Sequence, residues 1–331
     1  MKNVLVTGGA GFMGSHVVDE LIKQGYRVTV LDDLSGGFKE NVSPSADFIF
    51  GSIEDKPLLE KLFQEKNFDY VFHLAAYAAE GLSHFIRYFN YNNNLIGSIN
   101  LINLSVKYKI RCFVFTSSIA VYGKNQLPML ERTVPAPEDP YGIAKYAVEL
   151  DLNCAHQMFG LNYIIFRPHN VYGERQNIGD KYRNVIGIFM NQIMLKQPIT
   201  IFGDGEQSRA FSYIKDVAPI IAKSIKNDNS YNEIFNVGAD KPYSINELLK
   251  IVVEVFNVDP EINSQPARNE VIHAFSSHDK LKEYFGFTSQ YSLSEGVKIM
   301  ADWAKQTGPK NTNIFNNIEI EENLPPIWRK I

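Results

Sequence analysis

Three residues could carry chemistry if folding brought them together. Ser118 follows the apolar run "CFVFTS", and Tyr141 and Lys145 stand four apart in "YGIAK". Residues four apart share a helix face. A free phenol holds its proton to a pH near about 10, which makes it a poor base. A lysine cation beside it stabilises the phenolate. Tyr141 could then take the proton of a sugar hydroxyl as hydride leaves the carbon. The Ser118 hydroxyl could bridge the phenol and the reacting oxygen. The Y-x-x-x-K spacing alone describes many exposed helices, so the reading depends on a hydride acceptor nearby.

The stretch "TGGAGFMG" supplies the setting for one. Gly8, Gly11 and Gly14, with Phe12 and Met13 between the last two, stand where a first strand turns into a first helix. Such a turn lets backbone N–H groups approach a pyrophosphate, and the helix N-terminus favours its charge. The spacing is G-x-x-G-x-x-G, and a glycine turn alone is equally an ordinary tight turn. The second strand, however, ends in Asp32, 18 residues after Gly14, with Asp33 beside it. A carboxylate there accepts hydrogen bonds from a ribose diol and repels a 2′-phosphate. The cofactor expected is therefore NAD rather than NADP.

The elements that must position these residues alternate. "NVLVT", "RVTVLDD", "DFIFG", "DYVFHLAA", "RCFVFTSS" and "NYIIFRP" read as strands with helical patterns between them. Repeated β-α units predict a doubly wound parallel sheet covered by helices, a Rossmann-type α/β fold. Residues 1–168 form the expected NAD-binding domain, with a strand near 233–238 expected to rejoin its sheet. Residues 169–331 form the expected smaller α/β substrate domain and a tail. "SINELLKIVVEVF" reads as a helix opened by an N-cap serine. The tail "PKNTNIFNNIEIEENLPPIWRKI" is polar and reads as an extended surface segment.

Composition narrows the function. The chain has 331 residues, is 45% hydrophobic and carries a net charge of −4. That permits a large core and gives no reason to expect a nucleic-acid or membrane partner. Two cysteines, Cys112 and Cys154, point to a reducing compartment rather than to a disulfide, and no metal site is expected. No apolar run reaches membrane-spanning length, and the N-terminus enters a strand by residue 3. A cytoplasmic protein is expected.

In order along the chain, "TGGAGFMG", "HLAA", "SSIAVYG", "PYGIAK", "RPHNVYG", "FGDGEQSRAFSYIKDV" and "NVG" resemble the extended short-chain dehydrogenase/reductase family, in its nucleotide-sugar epimerase and dehydratase branch. The resemblance implies tightly held NAD, a nucleotide-sugar substrate and commonly a homodimer. It makes Tyr141 the base, Lys145 the residue that tunes it and holds the nicotinamide ribose, and Ser118 the orienting hydroxyl. It places Gly8, Gly11, Phe12, Met13, Gly14, Asp32, Asp33, Ser52, Ile53, Leu74, Ala75, Ala76, Tyr141, Lys145 and Pro168 around the cofactor. On the substrate side, beside Ser118 and Tyr141, it places Asn170 at the diphosphate and Asn184 and Val185 over the nucleotide. Phe202 packs the base, Gln207 lies nearby, Arg209 and Arg268 clamp the diphosphate, and Glu270 meets the nucleotide ribose.

The same resemblance separates reactions. Related dehydratases carry Asp-Glu, and decarboxylases a glutamate, where this chain has Ile119 and Ala120; the cysteine of 3,5-epimerases is also missing. Chemistry at C4 alone remains, most simply 4-epimerisation of a UDP-hexose or UDP-N-acetylhexosamine through a 4-keto sugar. The alternatives are a C4 dehydrogenase or reductase, a GDP-sugar epimerase, and a non-enzymatic NAD-binding regulator. Ala210 replaces a usual aspartate, Ser52 replaces another, and Ala78 replaces a lysine of hexose epimerases. The position walling the sugar beside C2 aligns with Ala274.

Overall fold

The computed structural model describes residues 1–268, 270–312 and 315–329. The expected tail thus keeps all but Asn313, Ile314, Lys330 and Ile331, which lie outside the described residues. Six apolar segments form the parallel strands β1 (Asn3–Thr7), β2 (Arg27–Asp32), β3 (Asp47–Phe50), β4 (Tyr70–His73), β5 (Cys112–Thr116) and β6 (Tyr163–Pro168). Their order in the sheet is β6-β5-β4-β1-β2-β3, and Glu233–Val237 pairs with β6 as a seventh, parallel strand. Strands covered on both faces need apolar residues throughout rather than alternation. Val4, Leu5, Val6, Val71, Phe72 and Phe113 are all fully buried. Each such side chain is worth about 1.5–3 kcal/mol relative to its exposed state.

The strand order reverses between β1 and β4, and the carboxyl ends of strands at such a switch border a crevice. The crevice edge is therefore built from Gly8, Asp32, Leu74, Ser118 and Pro168, each within two residues of a strand end. Helix α1 (Phe12–Lys23) follows the glycine turn, and Gly25 closes it with φ +85°.

The long helix Pro140–Phe159 presents Tyr141 and Lys145. Its start is fixed by Asp139, whose carboxylate accepts from the Gly142 N–H at 2.9 Å, and by Pro140 at the first position. Both choices suit a helix N-terminus. Gly160, with φ +74°, ends it.

The other side of the crevice comes from later segments. Ser208–Ala210 pairs in parallel with His273–Ala274 and antiparallel with Pro242–Ser244. The expected N-cap is Ser244, in a full capping box with Glu247. The tail departs from the sequence expectation: Trp328 is 1% exposed, so its end is buried rather than laid over the surface. Among the described residues, no helix is long and apolar enough to cross a membrane. Cys112 and Cys154 are both free thiols, Cys112 buried and Cys154 exposed.

Candidate active site

One cavity of about 830 Å³ collects the expected residues. Gly8, Gly11, Phe12, Met13, Gly14, Asp32, Asp33, Ser52, Ile53, Leu74, Ala75 and Ala76 line one part of it. Asn170, Asn184, Val185, Phe202, Gln207, Arg209, Arg268 and Glu270 line another, with Ser118, Tyr141 and Pro168 also on its wall. Of the expected residues, Lys145 and Ala274 do not line it.

The glycine turn fits a dinucleotide sterically. Gly8 has φ +71°, and a Cβ there would lie 2.6 Å from the Ala75 nitrogen. A Cβ at Gly14 would lie 2.0 Å from the Gly8 carbonyl oxygen. Only glycine allows turn, strand and helix to approach so closely. Asp32 is 8% exposed. Its carboxylate accepts from the Ala10 N–H at 2.9 Å and the Leu34 N–H at 2.8 Å. Burial pushes its carboxyl up, and these N–H groups oppose the shift.

Tyr141 and Lys145 occupy one face of their helix as the spacing requires. Burial pushes the Tyr141 phenol far above its usual value; the Ser118 hydroxyl opposes this, and Glu80 and Asp139 add to it. The Lys145 ammonium donates to the Thr116 carbonyl at 2.8 Å and sits 5.8 Å from the Tyr141 ring centroid. Burial lowers Lys145 to about 7, against the pull of Glu149. The lysine therefore lies beneath the phenol, tied to the end of β5. The Ser118 hydroxyl accepts from the Ala120 N–H at 3.1 Å at the start of a short 3-10 turn.

Two carboxyl groups near this centre were not among the expected site residues. Glu80 faces the cavity; among the described residues its carboxylate makes no hydrogen bond or ion pair. Desolvation within the cleft, with Asp139 beside it, pushes that carboxyl up to about 7, and Arg209 opposes. Glu149 is the second. It accepts from Arg167 Nε at 3.0 Å and from the Ser117 hydroxyl, and it is 4% exposed. The Tyr141–Lys145–Glu149 spacing put it on the same helix face, a usable signal. Nothing local marked Glu80 beyond its place in "AAYAAEGLSHF".

At the far end, Arg209 is held by the Ile272 carbonyl at 2.8 Å and lies 3.5 Å from Glu270. Arg268 contacts Glu270 at 3.2 Å and stacks 4.2 Å above the Phe202 ring centroid. Two arginines in fixed poses suit bidentate recognition of a phosphate. A side cavity of about 70 Å³ adjoins this region, lined by Glu80, Ser118, Asn170, Arg209 and Ala274 among others.

A parallel sheet whose crevice holds a glycine turn and a strand-end carboxylate defines a dinucleotide-binding α/β protein. Residues 4–238 match the model of the NAD dependent epimerase/dehydratase family. A relative in Methanocaldococcus jannaschii, bearing the provisional name UDP-glucose 4-epimerase, is 39% identical over 91% of this chain and 98% of its own. The Thermotoga maritima UDP-glucose 4-epimerase, solved with UDP-glucose, is 38% identical with a TM-score of 0.87, covering 92% of this chain and 99% of that one. The Methanobrevibacter ruminantium UDP-N-acetylglucosamine 4-epimerase, solved with UDP-N-acetylmuramic acid, is 34% identical with a TM-score of 0.86 over the same shares. This chain belongs to the NAD dependent epimerase/dehydratase family.

Proposed function

We propose that the protein epimerises a UDP-hexose or UDP-N-acetylhexosamine at C4. The observation that carries this is the shared cavity, which Tyr141 and Ser118 line together with the glycine turn and the two arginines. NAD held at the glycine turn and Asp32 would supply the acceptor for the C4 hydride and its return. Tyr141 Oη takes the O4 proton, and Ser118 orients that hydroxyl. Lys145 lends its positive charge from beneath the phenol, so the proton can leave the sugar as its carbon becomes a ketone. The same Tyr141 Oη gives the proton back on the opposite course. Arg209 and Arg268 hold the diphosphate, which leaves the 4-keto sugar free to present its other face.

The sugar is read as neutral. The Glu80 carboxyl faces the cavity near Asp139, so a uronate would set a further acid beside two acidic groups. The test is incubation with UDP-glucose, UDP-N-acetylglucosamine and UDP-glucuronate, read by NMR at C4. Conversion of the first two, or of either, without added NADH supports the reading. Turnover restricted to the uronate refutes the neutral sugar, and no turnover with any refutes the substrate class.

Ala274 supports room beside the sugar. It is 7% exposed, pairs in register with Arg209, and lines the side cavity with Ser118. Ala274→Tyr is expected to lower kcat/KM for the N-acetylated sugar roughly tenfold more than for UDP-glucose, since overpacking a closed site discriminates by size. An unchanged ratio would place the wall elsewhere.

Asp32 supports NAD. Asp32→Ala is expected to weaken NAD about 10- to 100-fold, the value of hydrogen bonds to a charged group, and to admit NADP. Equilibrium binding of both dinucleotides checks it; purified wild type carrying NADP would refute the ribose argument.

We also read the assembly as a homodimer. Ile143 and Leu150, seven apart on one helix, and the nearby Ile96 are exposed. Sedimentation of the holoenzyme as a single chain would refute this.

A further inference from the structure

Beyond the helix Leu293–Thr307, the described residues 309–312 and 315–329 run back across the crevice. They lie outside the family match, and the relatives are matched nearly end to end by about nine-tenths of this chain. Their attachments alternate between the two sides. Lys310 exchanges two hydrogen bonds with the Asn191 side chain, at 2.9 and 3.0 Å. The Phe315 N–H donates to Tyr182 Oη at 3.0 Å, and the Phe315 ring packs 5.1 Å from Phe89 and 5.3 Å from Tyr77. The Glu319 carboxylate accepts from the N–H groups of Tyr88 and Phe89 at 2.7 and 2.9 Å. Lys181 Nζ donates to the Ile327 carbonyl at 3.0 Å, and Ile327 lines the main cavity.

Trp328 completes this course. Its ring lies 5.3 Å from Tyr182, 6.3 Å from Phe85 and 6.3 Å from Phe202. The Arg268 guanidinium carbon sits 5.7 Å from the Trp328 ring and 4.2 Å from Phe202. Two aromatic faces therefore share one cation, and each contact is attractive. A guanidinium held between rings loses its freedom to swing, so less order must be imposed when an anion arrives. The Trp328 Nε1 has no hydrogen-bond partner among the described residues. A buried donor left unmade is costly, so packing holds this indole in place.

We propose that Trp328 is a positioning residue for the nucleotide end of the site, and that the described residues 309–312 and 315–329 form a standing wall of the pocket. Trp328 acts through Arg268 and Phe202 and does not touch the reacting carbon. The inference rests on the nucleotide-sugar reading given above.

The experiment compares wild type, Trp328→Ala and Trp328→Phe as NAD-loaded protein. Trp328→Ala is expected to raise the KM for UDP-glucose and the Kd for UDP about tenfold, as loss of a desolvated cation–π contact and its packing implies. Its kcat should stay within about twofold and its NAD content unchanged, since the loss lies in binding that ground and transition states share. Trp328→Phe should recover most of the loss. Equal KM and UDP affinity in wild type and Trp328→Ala would overturn the proposal, as would a fall in kcat alone. Should Trp328→Ala not fold, Trp303→Phe leaves Trp328 as the sole indole. UDP titration should then shift its emission, and an unchanged spectrum at saturation would overturn the positioning role. Wild type that binds no UDP would refute the substrate reading itself; wild type that binds UDP as tightly as Trp328→Ala refutes only this inference.

Discussion

Tyr141→Phe is expected to lower kcat by about two to four orders of magnitude, the usual reach of general acid–base catalysis. NAD should remain bound. The phenol oxygen is the only proposed acceptor for the O4 proton, while the ring of a phenylalanine keeps the packing of a residue that is 7% exposed. Turnover followed by NMR, with NAD content read after denaturation, checks both halves. A near-wild-type rate would remove Tyr141 from the chemistry and point to Glu80 as the base. Lys145→Ala should differ in kind. Its ammonium is anchored to the Thr116 carbonyl, so its loss should reduce rate and also loosen the cofactor end of the site.

Glu149→Leu carries the largest expected effect on stability. Arg167 and Glu149 form an ion pair whose side chains are 2% and 3% exposed. The Tyr122 ring lies 4.7 Å from the same guanidinium. Removing one partner of such a pair strands a charge, a loss of about 3–5 kcal/mol. The damage should also reach the site, since Glu149 accepts from Ser117, next to Ser118, and shares a helix with Lys145. Urea denaturation measures it, with Glu149→Leu/Arg167→Met as the control. The double variant should regain much of the loss, because no unpaired charge remains. A change below about 1 kcal/mol in the single variant would mean that the pair is not what fixes the end of β5.

These two expectations differ in how they could be found. Tyr141, Lys145 and the glycine turn were legible because their geometry is local: helical spacing and a strand–turn–helix junction determine it. The six strands were legible because a sheet covered on both faces demands unbroken apolar runs. Glu149 had a partial signal in its spacing from Lys145, but its partner lies 18 residues on, across a strand. Glu80 sits in a short helix, Glu80–Ser83, whose four residues give no periodicity to read. Trp328 was least legible. Its contact with Arg268 joins the polar tail to a residue far earlier in the chain, and no local propensity distinguishes a tail that folds into a crevice from one that lies on the surface. Lys145 shows the converse: its place on the Tyr141 face of the helix was legible, but its anchoring to the Thr116 carbonyl rather than to the cavity wall depends on tertiary packing.

The pairing of Glu233–Val237 with β6 bears on how the chain is made. The seventh strand of the sheet emerges during synthesis only after the whole stretch between residues 168 and 233. Until then β6 presents an unpaired edge, and exposed strand edges recruit other chains. A nascent chain paused in this interval, or a fragment ending near residue 168, would carry an apolar edge that the finished protein never shows. The first-made part of the molecule is thus the part that must wait: Asn170, Asn184, Phe202 and Arg209 are made before the seventh strand, Arg268 and Trp328 only after it.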